Sequence, residues 1–193
     1  MAFLTANYEN NQQGGNYDPL PQGNYEMVIK SAQETATPNG SESLQLDLVV
    51  RNDLDKAPEL AETNAKYHNR HVFMDNWKRK STHQYDMEGF QYILEGAQVP
   101  EGTVINSVDD FIKWISGRPV RVFVKKIKDT YNGETKDKNQ VAPWNIDKTK
   151  FTTLNHVFKD NNQPQGQPQA QQNGDPFAGN GQRIDISDDS LPF

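Results

Sequence analysis

Between residues 120 and 125 valine alternates with a different chemistry. Val120, Val122 and Val124 share one side of an extended chain, and Arg121, Phe123 and Lys125 share the other. The valines suit a buried face. The opposite face then offers a cation, a ring and a cation in a row, a match for a polymer that carries phosphates beside flat apolar rings. Neighbouring sequence repeats the theme. Lys126 and Lys128 follow, Tyr131 stands at an Asn132-Gly133 turn, and Trp144 lies on the return run. Upstream, Arg70, His71, Phe73 and Trp77 precede the basic run Lys78, Arg79 and Lys80. A base stacked on such a ring contributes about 1–3 kcal/mol with little sequence preference. The competing reading makes Phe73, Phe123 and Trp144 core residues and the lysines a solvated face.

Other chemistry finds less support. His68 and His71 suggest a metal pair, but no third ligand is suitably spaced, and no metal or other cofactor is expected. There is no phosphate-cradling glycine loop, no dinucleotide fingerprint and no Ser-His-Asp arrangement, so no catalytic residues are assigned and an enzyme is not expected. Asp109 and Asp110 read as helix-start charges. With no cysteine, disulfides and thiolate metal sites are excluded, which fits a cytoplasmic location. The first residues lack a basic region followed by an apolar run, so no signal peptide and no membrane association are expected.

The elements that must position these side chains follow from periodicity. Alternation marks strands over 23–30, 43–51 and 67–77. Met87, Phe90, Ile93 and Leu94 mark one helix ending at Gly96. Ser107 opens a second, with Phe111, Ile112 and Ile115 on its apolar side. A fourth strand over 118–127 turns at Asn132-Gly133 and returns near 140–146. Three strands, a helical insert and two strands predict a mainly β domain. The expected architecture is a five-stranded OB-fold-like barrel with its helices between strands three and four.

Composition sets the boundaries. Hydrophobic residues make up 34% of the chain, below the globular norm of roughly 45–50%, and they crowd between residues 25 and 158. We therefore read 1–22 as a flexible arm, 23–158 as the folded domain, 159–184 as a disordered Gln/Asn/Pro/Gly-rich linker and 185–193 as an acidic tip. The linker's residues 161–184 would span about 25–30 Å as a flexible coil. The net charge of −6 hides a split. From residue 159 onward two basic and five acidic residues give −3, whereas 118–150 holds nine basic and four acidic residues, giving +5. A polyanion responds to the local field within a Debye length of roughly 8–10 Å, so an acidic protein can still hold one.

The tip joins acids to apolar residues: Asp185, Asp188 and Asp189, then Leu191, Pro192 and Phe193. Phe193 can fill an apolar pocket while the carboxylates meet a basic rim. This ending resembles the tip of bacterial single-stranded DNA-binding proteins. The resemblance, at Asp188, Asp189, Leu191, Pro192 and Phe193, implies docking of replication, recombination or repair proteins. The body is similar to a phage family of like function, in the opening Leu20-Pro21-Gln22-Gly23-Asn24-Tyr25, in Val49 to Asp53 and in Asn69 to Phe73. It implies sequence-tolerant binding of single-stranded DNA in the host cytoplasm. Two alternatives stay open: an adaptor of the replication machinery that does not touch DNA, and a recombination mediator or annealing accessory. The oligomeric state is open too, a homo-oligomer included. On the DNA-binding reading, the acidic tip is expected to compete with DNA for the basic face.

Overall fold

The computed structural model describes residues 18–131 and 133–159. Its six strands are β1 Gly23–Ala36, β2 Glu42–Val50, β3 His71–Trp77, β4 Pro119–Tyr131, β5 Glu134–Gln140 and β6 Ile146–Asp147. They form one antiparallel sheet in the order β3-β2-β1-β4-β5, with β6 also pairing with β4. Two helices, α1 Met87–Gly96 and α2 Val108–Ile115, lie between β3 and β4 in the chain.

Strand alternation builds the core directly. Met27 and Ile29 of β1, Leu44, Leu46, Leu48 and Val50 of β2, and Val72 and Met74 of β3 meet the three valines of β4. Each such side chain contributes about 1.5–3 kcal/mol when fully buried. β1 serves two neighbours: 23–28 pair with β4 and 27–36 with β2, and the β2 register shifts between Ile29 and Ser31. A shift of that kind bends a strand. The helices close one side with Phe90, Ile93, Phe111 and Ile115, the Phe90 and Phe111 rings 4.5 Å apart. Asp86 caps α1 by accepting from the Glu88 N–H, and the Ser107 hydroxyl caps α2 by accepting from the Asp110 N–H. Met87, expected on the apolar side of α1, is exposed, because the first helical residue overhangs the core.

Three expectations change. First, the sheet does not close into a barrel: among the described residues β3 and β5 do not pair with each other. Second, the return strand is Glu134–Gln140, earlier than expected, and pairs with the outer half of β4. Beyond it Pro143, which has no N–H to donate, opens a 3-10 turn through Asn145, so no long strand reaches β3. Third, residues 18–22, expected in the flexible arm, are tied into the fold. Leu20 is buried, and its N–H and C=O both bond the Asn139 side-chain amide of β5, at 2.8 and 2.9 Å. Arg70, just before β3, donates to the Asp18 carbonyl at 2.6 Å. These contacts bridge one end of the unpaired seam. Residues 1–17 and the linker and tip from 160 onward, including Asp185, Asp188, Asp189, Leu191, Pro192 and Phe193, lie outside the described residues. Among the described residues no helix is long and apolar enough to cross a membrane.

Candidate nucleic-acid interface

A groove of about 570 Å³ follows the seam between β3 and β5. Alternation along β3 turns His71, Phe73, Asp75 and Trp77 away from the core, opposite the buried Val72, Met74 and Asn76. Phe73 and Trp77 line the groove from that side. Trp144, on the 3-10 turn, lines it from the other. All three rings are open to solvent, Phe73 at 54%, Trp77 at 46% and Trp144 at 63%. Large apolar rings exposed together at one concave place are uncommon on a soluble surface and mark binding sites. Phe73 and Trp77, four residues apart on one strand, stand about 13 Å from each other along β3, room for more than one base between them. His71 extends the row: its ring stacks on Phe73 at 6.4 Å, and its Nδ1 lies 2.7 Å from Asp47 Oδ1.

Cations reach the same groove, but most hold acids already. Lys78 contacts Glu42 at 2.9 Å and Glu34 at 3.7 Å, and its ammonium lies over the Tyr85 ring. Arg79 meets Asp86 at 2.9 Å. The hydrogen bond to Glu42 holds the Lys78 ammonium above the ordinary lysine range, and the bond to Asp86 raises Arg79 likewise. Glu42 and Asp86 sit below the ordinary carboxylate range for the same reason. Lys138, also lining the groove, lies 3.7 Å from Asp129. Lys80 is exposed beyond the end of β3, with no ion pair among the described residues.

The remaining sequence candidates lie elsewhere. Arg121 and Phe123 do share the face of β4 opposite the valines, with exposed Lys125 beside them, but they are half-buried and line a different region from the groove. Arg121 pairs across the sheet with Glu26, itself buried, whose carboxylate accepts from the Thr149 hydroxyl. The Asn64 amide covers the same spot, bonding both the N–H and C=O of Glu26. This part of the face is roofed by the protein's own chain. Lys126 holds Asp137 of the return strand at 2.8 Å, and Lys128 pairs in register with that same aspartate. Tyr131 ends β4, with its side chain outside what is described. Arg70 holds the Asp18 carbonyl at the seam. The groove also takes in Tyr92, Asn76 and Lys138, which the sequence reading missed. Tyr92 sits on the outward side of α1, where periodicity asks for nothing, and Lys138 lies on a strand with no apolar alternation to reveal its orientation.

Burial is the largest influence on the Glu26 carboxyl and raises its pKa, against the Thr149 hydrogen bond and the charges of Arg121 and Arg51. A raised folded-state pKa gives stability that is fully present below the unfolded value, about 4.3, and is lost as pH rises through the folded value. Thermal melts of Glu26→Gln should therefore show higher stability than the parent at neutral pH, with the gap closing towards about pH 4. Parallel melting profiles across that range would show that Glu26 carries no such strain.

No curated protein matches the chain. Among solved structures, "Yeast RPA bound to ssDNA" is similar at 9% sequence identity and a TM-score of 0.30, covering 68% of this chain and 80% of that one. A family model described as "Protein of unknown function (DUF669)" matches residues 6–165. The match spans the whole sheet, both helices and the aromatic groove, and the chain belongs to the DUF669 family.

Proposed function

We propose that the chain binds single-stranded DNA in the seam groove, by stacking bases on Phe73, Trp77 and Trp144. The observation that carries this reading is the gathering of three exposed rings, from β3 and from a turn some seventy residues on, at one concave site. Stacking asks little of base identity, so binding tolerates sequence. The sheet is best understood as an OB-fold relative whose β3–β5 seam stays open, because β1 pairs with both β2 and β4 and the helices sit between β3 and β4. The role is that of a non-enzymatic protein of phage DNA replication, recombination or repair in the host cytoplasm. The tip residues Asp185 to Phe193 dock partner proteins. The sequence resemblances of body and tip support that part.

Titration with fluorescent oligo-dT, and with duplex of equal length, tests the reading. Preferential binding of the single strand is expected. Binding to neither would end it, and equal binding to both would reduce it to general polyanion attraction. Because Lys78, Arg79 and Lys138 exchange a carboxylate for a phosphate, few counterions are released on balance. The slope of log affinity against log salt should be no steeper than about −2, some three phosphates at roughly −0.7 each. A much steeper slope would move the contact to cations outside the groove. The same ion pairing favours one second reading, the adaptor that binds protein and not DNA, which the oligo-dT titration separates directly.

A further inference from the structure

Helix α1 divides two grooves. It turns Glu88, Gly89 and Tyr92 towards the aromatic seam, and Met87, Gln91 and Leu94 towards a second groove of about 1100 Å³ that shares no lining residue with the first. This second groove runs between α1 and the 98–108 connection to α2. Its walls are largely apolar. Tyr85, Leu94, Val99, Ile105 and Val108 rest on the core yet stay partly open, and Met87 is 64% exposed. The connection is held in shape. Gln98 takes a left-handed φ of 54° as α1 ends, and the Val99 N–H donates to the Leu94 carbonyl at 3.0 Å. The Thr103 N–H and hydroxyl both donate to the Pro100 carbonyl, at 3.2 and 2.6 Å. A concave apolar surface with a polar rim marks a binding site.

Charge selects what the groove takes. Residues 86–112 hold six acids, Asp86, Glu88, Glu95, Glu101, Asp109 and Asp110, and no Lys, Arg or His. Glu95 and Glu101 line the groove, and Asp109 follows the lining Val108. Among the described residues Glu101 and Asp109 have no ion pair. Glu95 holds Lys148 at 2.9 Å in an exposed pair, of the kind that changes partners at little cost. A rim of this sign repels DNA and, equally, the chain's own acidic residues 185–193. The segment 1–17 brings no cationic side chain, since its one charged residue is Glu9. A second copy offers little better, because the lysines of its β4–β5 hairpin already hold acids of that hairpin.

We infer that this groove docks another protein through a basic amphipathic segment. The segment's apolar side chains lie between α1 and the connection, and its cations meet Glu101, Glu95 and Asp109. Met87, Phe90, Gln91 and Leu94 stand three and four residues apart along about 10 Å of α1, a length that matches two turns of a docked helix. The site goes beyond the DNA-binding reading and does not rest on it. With a protein on one flank of α1, the aromatic seam on the other stays free.

The test uses the full chain and a synthetic lysine–leucine peptide whose leucines recur three and four residues apart, one of them replaced by the photoreactive benzoylphenylalanine. One control scrambles the order so that the leucines share no face, and another replaces lysine by glutamate. The basic amphipathic peptide should bind at least about tenfold more tightly than either control, and its cross-links should map to residues 85–108. Met87→Gln, at an exposed position outside the core cluster, should weaken it about five- to tenfold. Glu101→Lys should weaken it about three- to tenfold, and less at high salt. Both variants should bind oligo-dT like the parent. No binding, equal binding of the scrambled peptide, cross-links confined to other regions such as 185–193, or an unchanged affinity in either folded variant overturns the inference. Self-association of the full chain that Met87→Gln abolishes overturns it as well, in favour of a second copy. Loss of oligo-dT binding in the parent bears on the seam alone and leaves this site standing.

Discussion

Replacing Trp144 by Ala should lower the affinity for oligo-dT roughly 5- to 150-fold, the equivalent of about 1–3 kcal/mol for one lost stacking platform. The melting temperature should hardly move. The contrast is the point of the experiment. Trp144 is the most exposed of the three groove rings, it stands on a 3-10 turn outside the core cluster, and none of the ring pairs in the described structure includes it. Its truncation removes surface, not packing. The equivalent change at Phe123 tests the competing face. That ring is half-buried on β4, close to the roofed Glu26–Arg121 pair, so Phe123→Ala should cost stability before it costs DNA affinity. If Trp144→Ala binds like the parent while Phe123→Ala folds and loses binding, the DNA lies on β4.

The largest stability loss is expected at Arg51. Its side chain is 0% exposed, and it binds Asp53 through both carboxylate oxygens, at 2.9 and 2.7 Å. It also donates to the backbone carbonyls of Phe151 and Thr153, each at 2.6 Å. The run from 149 to 158 thus lies against the sheet on one buried guanidinium. The Asn52 side chain, with two bonds to Val157, and its N–H, bonded to His156 Nδ1, hold the far end. Arg51→Ala would leave a nearly buried carboxylate without its counter-charge and two carbonyls without the guanidinium donors. Breaking a buried pair in this way costs about 3–5 kcal/mol, enough to lower the melting temperature well beyond the effect of any groove variant. Arg51→Lys should recover only part of the loss, since an ammonium cannot reproduce the forked geometry. Burial alone would raise the Asp53 carboxyl, but the Arg51 bonds, the Asn155 N–H and the Arg51 charge outweigh it and hold its pKa down. The stability Asp53 contributes is present above the unfolded aspartate value, about 3.9, and is lost as pH falls through the folded one. Acid should therefore loosen this strap. A melting temperature for Arg51→Ala close to the parent's would show that the strap does not depend on it.

The contrast between Arg51 and Val122 shows what the sequence could reveal. Alternation is a local signal, so the inward valines of β4, the leucines of β2 and the cap Ser107 were legible, and with them the order of strands and helices. Arg51 and Glu26 looked like the polar side of their strands. They are buried by Phe151, Thr153, Asn64 and Thr149, partners 38 to 123 residues away that no local pattern announces. β5 escaped for a different reason: Glu134–Gln140 contains no apolar residue, because the ribbon runs beyond the core and needs no buried face. The charge of that ribbon misled as well. Lys126, Lys136 and Lys138 find Asp137, Glu134 and Asp129 on the same hairpin, so its basic excess is largely answered from within. For the candidate site, Phe73, Trp77, Lys78, Arg79 and Trp144 were named from residue type. Their meeting across an unpaired seam depends on how β3 and the Pro143 turn approach in space.

That seam is where the account is most exposed to test. An oligonucleotide carrying iodouracil, irradiated in complex with the full chain, forms covalent bonds to the aromatic residues that touch its bases, and peptide mapping then locates them. Cross-links at Trp77, Trp144 or Phe73 are the predicted result. Cross-links confined to the β4 face around Phe123, or none at a protein concentration that saturates binding, would contradict it.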